Sequence, residues 1–80
     1  MPTYRLLHRH RPNECSTAYA AWKGYESPLR GRPATSSCSW GGHEIWWDLK
    51  ASDPDDALRN LPGYLSDRAV ATRVGEVEIP

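Results

Sequence analysis

Ala34-Thr35-Ser36-Ser37-Cys38-Ser39-Trp40-Gly41-Gly42-His43-Glu44-Ile45-Trp46-Trp47-Asp48-Leu49-Lys50-Ala51 is the stretch on which the reading of the fold turns. Two runs of strand-compatible residues meet at Gly41-Gly42, a dipeptide suited to the positive φ angles of a tight hairpin. The pattern predicts strands over Ala34–Trp40 and His43–Ala51. Side chains alternate across a strand, so Ile45, Trp47 and Leu49 share one face while Glu44, Trp46 and Asp48 share the other.

Working toward the N-terminus, Thr3–His10 reads as a further strand, with Tyr4, Leu6, His8 and His10 on one face and Arg5, Leu7 and Arg9 on the other. Pro12 ends it. Asn13 is placed to cap a short helix carrying Cys15, Ala18, Tyr19 and Trp22 on one stripe, with Gly24 as its stop. Tyr25–Pro33 then reads as a loop able to form a lid or rim. Toward the C-terminus, Ser52 and Asp53 offer a helix cap, Pro54 suits the first helical position, and Leu58, Leu61 and Leu65 form a stripe that Pro62-Gly63 interrupts. Ala71–Ile79 reads as a closing strand in which Val77 and Ile79 alternate with Glu76 and Glu78.

The order strand, helix, hairpin, helix, strand gives an α+β chain of one domain, residues 1–80, with the ferredoxin-like βαββαβ arrangement: a four-stranded antiparallel sheet of order 4-1-3-2 carrying two helices on one face. In that sheet Arg5 and Arg9 fall beside Asp48 and Glu44 on the open face, together with Glu76 and Glu78. Leu7 and Trp46 form an apolar stripe on the same face, which a second copy would cover. By this topology the chain resembles the dimeric α/β-barrel superfamily, which includes muconolactone-isomerase-like enzymes, cofactor-free monooxygenases of antibiotic biosynthesis and small nickel-binding ferredoxin-like proteins. The resemblance implies a homodimer and either a pocket for hydrophobic or aromatic molecules between sheet and helices or histidine ligands near strand ends.

Ten Lys/Arg residues balance ten Asp/Glu residues with no basic block, which argues against nucleic acid or an anionic membrane as partner. No apolar run approaches membrane-spanning length, and Met1–Arg5 leads directly into charge, so the expected location is the cytoplasm. Cys15 and Cys38 are too few for a disulfide framework and belong to no C-x-x-C pair, so reduced thiols are expected.

Chemistry is expected where the first strand ends. His8 and His10 project from one side of the strand about 6.5–7 Å apart, and Cys15 follows within a helical turn of the next element. One reading makes His8 and His10 acid–base groups of a small-molecule site walled by Tyr19, Trp22 and Trp47, with a cofactor-free isomerase, cyclase or oxygenase acting on an aromatic metabolite as the fitting reaction class. No nucleophile elbow, phosphate loop or paired-carboxylate motif accompanies these residues. A second reading makes His8, His10 and Cys15 ligands of nickel, zinc or copper. Their spacing matches no closed zinc signature, and His43 is expected at the end of the sheet away from His10. A third reading is a protein-interaction module using Trp46 or the Tyr25–Arg30 loop.

Overall fold

Strand β1, Thr3–Arg9, lies at the centre of the sheet because every second side chain is apolar or buried: Tyr4, Leu6 and His8 are enclosed while Arg5 and Arg9 face solvent. The structure, a computed structural model, describes residues 1–80. After β1 come a 3₁₀ turn (Pro12–Glu14), helix α1 (Cys15–Ala20), strand β2 (Thr35–Ser36), a second 3₁₀ turn (Cys38–Trp40), strand β3 (Glu44–Lys50), helices α2 (Pro54–Leu58) and α3 (Gly63–Ser66), and strand β4 (Ala69–Val74).

The strands form one four-stranded sheet in the order β2-β3-β1-β4 with every neighbouring pair antiparallel. The chain is therefore α+β, but it is not a clean βαββαβ. β2 is two residues long, and no α-helix exceeds the six residues of α1. Such short helices have little intrinsic stability and persist through what they bury. Ala18 of α1, Ala57 of α2 and Leu65 of α3 join Tyr4, Leu6, Ile45 and Trp47 in one apolar cluster, which puts all three helices on the same face of the sheet.

Leu6 pairs with Trp47 and His8 with Ile45 across β1 and β3. Full burial of an aliphatic side chain such as Leu6, Ile45, Leu61 or Leu65 contributes about 1.5–3 kcal/mol. The open face follows the same parity. Arg5 donates two hydrogen bonds to the Asp48 carboxylate at 2.8 and 2.9 Å, and Arg9 meets Glu44 at 2.6 Å. Leu7 lies between Trp46 and Val70 in register on this face, both Leu7 and Trp46 being partly covered.

Three sequence expectations need correction. Ala34–Trp40 is a strand only over Thr35–Ser36: beyond it one backbone bond, from Ser37 N–H to the Glu44 carbonyl, remains, and the side chains of Ser36 and Ser37 accept from the backbone N–H groups of Cys38 and Glu44 at 3.2 and 3.1 Å in competition with the ladder. The closing strand is Ala69–Val74, so Glu76, Val77, Glu78 and Ile79 form an exposed tail with no strand beside it. Asn13 caps neither helical segment: Arg11 precedes the 3₁₀ turn, its N–H donating to Glu14 Oε1 at 2.9 Å, and Glu14 holds the N-cap position of α1. The Tyr25–Pro33 segment is a loop and does form a rim, Leu29, Arg30, Gly31 and Arg32 bordering a cavity of about 320 Å³; it is pinned by the Tyr25 and Ser27 hydroxyls, which donate to the carbonyls of Arg59 and Asn60. The Asp53 cap is present, accepting from Asp56 N–H at 2.8 Å, and the helical region does break at Pro62-Gly63.

Only 13 of 80 residues are buried, a thin core for a domain whose size already limits how much surface folding can remove. No helix is long and apolar enough to cross a membrane.

Candidate metal centre

His10 is the residue after β1 and keeps that strand's inward parity, so its ring enters the protein at the edge of the core, 9% exposed. Its backbone N–H donates to the carbonyl of His43 at 3.2 Å, extending the β1–β3 ladder by one rung. An antiparallel pair places the end of one strand beside the beginning of the other. His43 therefore stands next to His10 and not at the far end of the sheet, as the antiparallel pairing of Arg9 with Glu44 already requires.

Cys15 reaches the same place through the 3₁₀ turn. Pro12 presets the turn, and the Arg11 N–H bond to Glu14 closes it, so that α1 begins on Cys15 with its sulfur under the His10 ring. The second side of Glu14 is held by the Tyr64 hydroxyl at 2.8 Å and by Arg68. The Arg68 guanidinium, the Arg11 N–H and the Tyr64 hydroxyl together bring the Glu14 carboxyl down to about 2.

Cys38 and His43 come from the connection between β2 and β3. Ser37 N–H donates to the Glu44 carbonyl at 2.9 Å, which closes the base of the loop, and Gly41 adopts φ 84° to turn the chain back. His43 itself has φ 53°, a left-handed conformation uncommon outside glycine that orients its ring toward the Cys15 sulfur. Gly42 packs against Ser37 so tightly that a Cβ would stand 2.3 Å from the Ser37 hydroxyl.

Four donor atoms result. His10 Nε2 lies 3.3 Å from the sulfurs of both Cys15 and Cys38, His43 Nδ1 lies 3.2 Å from the Cys15 sulfur, and all four atoms lie within 4.8 Å of one another. In a tetrahedral zinc site with Zn–S of about 2.3 Å and Zn–N of about 2.0–2.1 Å, neighbouring N and S donors stand about 3.5 Å apart. The three N–S separations of 3.2–3.3 Å are close to that spacing.

The electrostatics favour that use at His10 and Cys38 and oppose it at Cys15. Burial, and after it the neighbouring His43, lowers the pKa of His10, which favours the neutral ring that can ligate. Burial and the adjacent Cys38 raise the Cys15 thiol. At Cys38 burial acts upward, but hydrogen bonds involving Ser36, Tyr19 and Cys15 prevail and the thiol is lowered. Two thiolates in contact repel, and a divalent cation between them removes that cost.

Of the residues singled out from the sequence, His10 and Cys15 meet here, whereas His8 does not join them as a ligand. His8 is fully buried one pleat deeper, its Nδ1 donating to the Leu65 carbonyl at 3.1 Å. Tyr19, Trp22 and Trp47 line a separate cavity of about 320 Å³ with Leu29 and Arg30, and neither His8 nor His10 borders it. Cys38 and His43 were not foreseen. Their signal was a mirrored spacing, His10-x4-Cys15 followed by Cys38-x4-His43, in which each pair spans a loop of four residues.

Comparison with protein-family models, curated proteins and solved structures finds no match to this chain in any of the three.

Proposed function

We propose that the chain is a transition-metal-binding domain in which His10, Cys15, Cys38 and His43 hold one zinc(II) ion as a four-coordinate structural centre. The observation that carries the reading is the convergence of four donor atoms, from two loops far apart in sequence, within 4.8 Å at one end of the sheet. Two thiolates and two neutral imidazoles match the charge and softness of zinc, and four protein ligands fill a tetrahedron without leaving a position for substrate. The role that fits is a staple. It ties the first turn of α1 and the β2–β3 loop to β1 in a domain with a thin core.

Native mass spectrometry on protein purified without a histidine tag tests this. One zinc per chain, lost on chelation and lost in Cys38→Ser, is the expected result; a chain that ignores added zinc, cobalt and nickel refutes it.

The antiparallel order β2-β3-β1-β4 supports a ferredoxin-like ancestry with the helices cut to one or two turns. A second reading, binding of a small aromatic molecule, is favoured by the cavity of about 320 Å³ walled by Tyr19, Trp22 and Trp47. Quenching of tryptophan fluorescence by aromatic metabolites, abolished in Trp22→Ala, is its test. Homodimerisation would use the Leu7–Trp46 stripe, and Trp46→Glu would then give a monomer.

A further inference from the structure

Two buried nitrogens have no hydrogen-bond partner: His8 Nε2 and His10 Nδ1. They belong to neighbouring rings on the same face of the chain, with centroids 5.2 Å apart and planes inclined by 36°. Ring nitrogens stand about 1.2 Å from their centroid, so rings at this separation can bring facing nitrogens to about 3 Å, within hydrogen-bond range.

The protons on these rings are complementary once a metal is bound. His8 Nδ1 lies 3.1 Å from the Leu65 carbonyl. A carbonyl only accepts, so His8 carries its proton on Nδ1 and presents a lone pair at Nε2. His10 Nε2 faces the sulfurs of Cys15 and Cys38. To ligate, Nε2 must offer its lone pair, which puts the His10 proton on Nδ1. The unpartnered donor of one ring then meets the unpartnered acceptor of the other.

The geometry points to His8 as the positioning residue of the metal centre: its Nε2 accepts the Nδ1–H of His10 while its own Nδ1–H is anchored on the Leu65 carbonyl, fixing the tautomer and orientation of the ligand. This rests on the metal-binding reading above. Outer-shell partners of this kind commonly set ligand orientation and metal affinity. The chain Leu65–His8–His10 also links the metal end of the sheet to α3. With the metal absent, a Cys15 or Cys38 thiol can donate to His10 Nε2 and leave the His10 proton on Nδ1; metal binding makes that tautomer obligatory.

Long-range ¹H–¹⁵N spectra of the unaltered, zinc-loaded protein test this without any substitution. The expected result is that both His8 and His10 are protonated on Nδ1 alone, with a scalar coupling across His10 Nδ1–H to His8 Nε2. In competition with a chromophoric zinc chelator, His8→Phe, which keeps the ring but loses the acceptor, is expected to bind zinc ten- to a hundredfold more weakly. His8→Gln, whose amide oxygen can accept, is expected to recover part of that loss. A zinc-loaded protein with the His8 proton on Nε2, or a His8→Phe variant with unchanged affinity, overturns the inference and leaves the metal site standing. An unaltered protein that takes up no zinc overturns the metal reading itself.

Discussion

The two ends of the sheet are held by different physics. At the end where β1 begins, Tyr4, Ala51, Ala57 and Leu61 are buried, Ala51 N–H donates to the Pro2 carbonyl, and Asp53 caps α2. Apolar contact and backbone bonds suffice there. At the end where β1 finishes, the inward positions are His8 and His10, and what surrounds them is Cys15, Cys38 and His43. Polar side chains in a core position hold a structure only when their partners are complete. One end of this domain folds by burial, while the other gathers four His and Cys donors that, on the zinc reading proposed above, are tied by ligation.

Breaking the ligated end should have the largest effect. Structural zinc contributes about 10–16 kcal/mol of binding free energy in small domains, comparable with the whole stability of a chain this size. Cys38→Ser should weaken zinc binding by about three orders of magnitude or more. Amide exchange should then show residues 11–20 and 36–43 losing protection before the centre of β1 and β3 does.

Leu61→Ala strikes the other end. It should cost about 2–5 kcal/mol by opening a cavity, readable as a lower midpoint in denaturant, yet leave zinc stoichiometry at one per chain.

Third comes acid. Burial lowers His8 and His10 below the ordinary histidine value of about 6.5, so each stays neutral in the fold at a pH where the unfolded chain takes up a proton. The metal-free protein should therefore keep this contribution above about pH 6.5 and lose it as pH falls toward the depressed folded values. Denaturant midpoints measured across pH 7.5 to about 5 check the sign; His8→Phe should flatten the slope.

Gly42→Ala should act on the loop alone. A Cβ 2.3 Å from the Ser37 hydroxyl forces the Cys38–His43 segment to shift, at a cost of about 1–3 kcal/mol that should appear as weaker zinc binding in the chelator competition. The smallest effect belongs to Arg5→Ala on the open face, where loss of the exposed, solvent-screened pair with Asp48 should leave the thermal unfolding midpoint nearly unchanged.

The burial end was legible because it obeys periodicity. Alternation placed Tyr4, Leu6, Ile45 and Trp47 inside and paired Arg5 with Asp48 and Arg9 with Glu44, and turn chemistry marked the Asp53 cap and the break at Pro62-Gly63. The ligated end was legible only in half. His10 and Cys15 stood out, but Ala34–Trp40 has the composition of a strand and gives up that form because serine side chains bond the backbone at Ser36 and Ser37. His43 was misplaced even though the antiparallel pairing of Arg9 with Glu44 implies His43 beside His10, and its left-handed backbone conformation is set by the loop it closes. The tail shows the converse: Val77 and Ile79 alternate like a strand, but no neighbouring edge pairs with them.

X-ray absorption at the zinc edge, on tag-free protein loaded with one equivalent of zinc, addresses the ligated end most directly. The expected spectrum is fitted by two sulfurs at about 2.3 Å and two imidazole nitrogens at about 2.0–2.1 Å. A shell of oxygen and nitrogen with no sulfur, or with one sulfur and open positions filled by water, would contradict a centre built from His10, Cys15, Cys38 and His43.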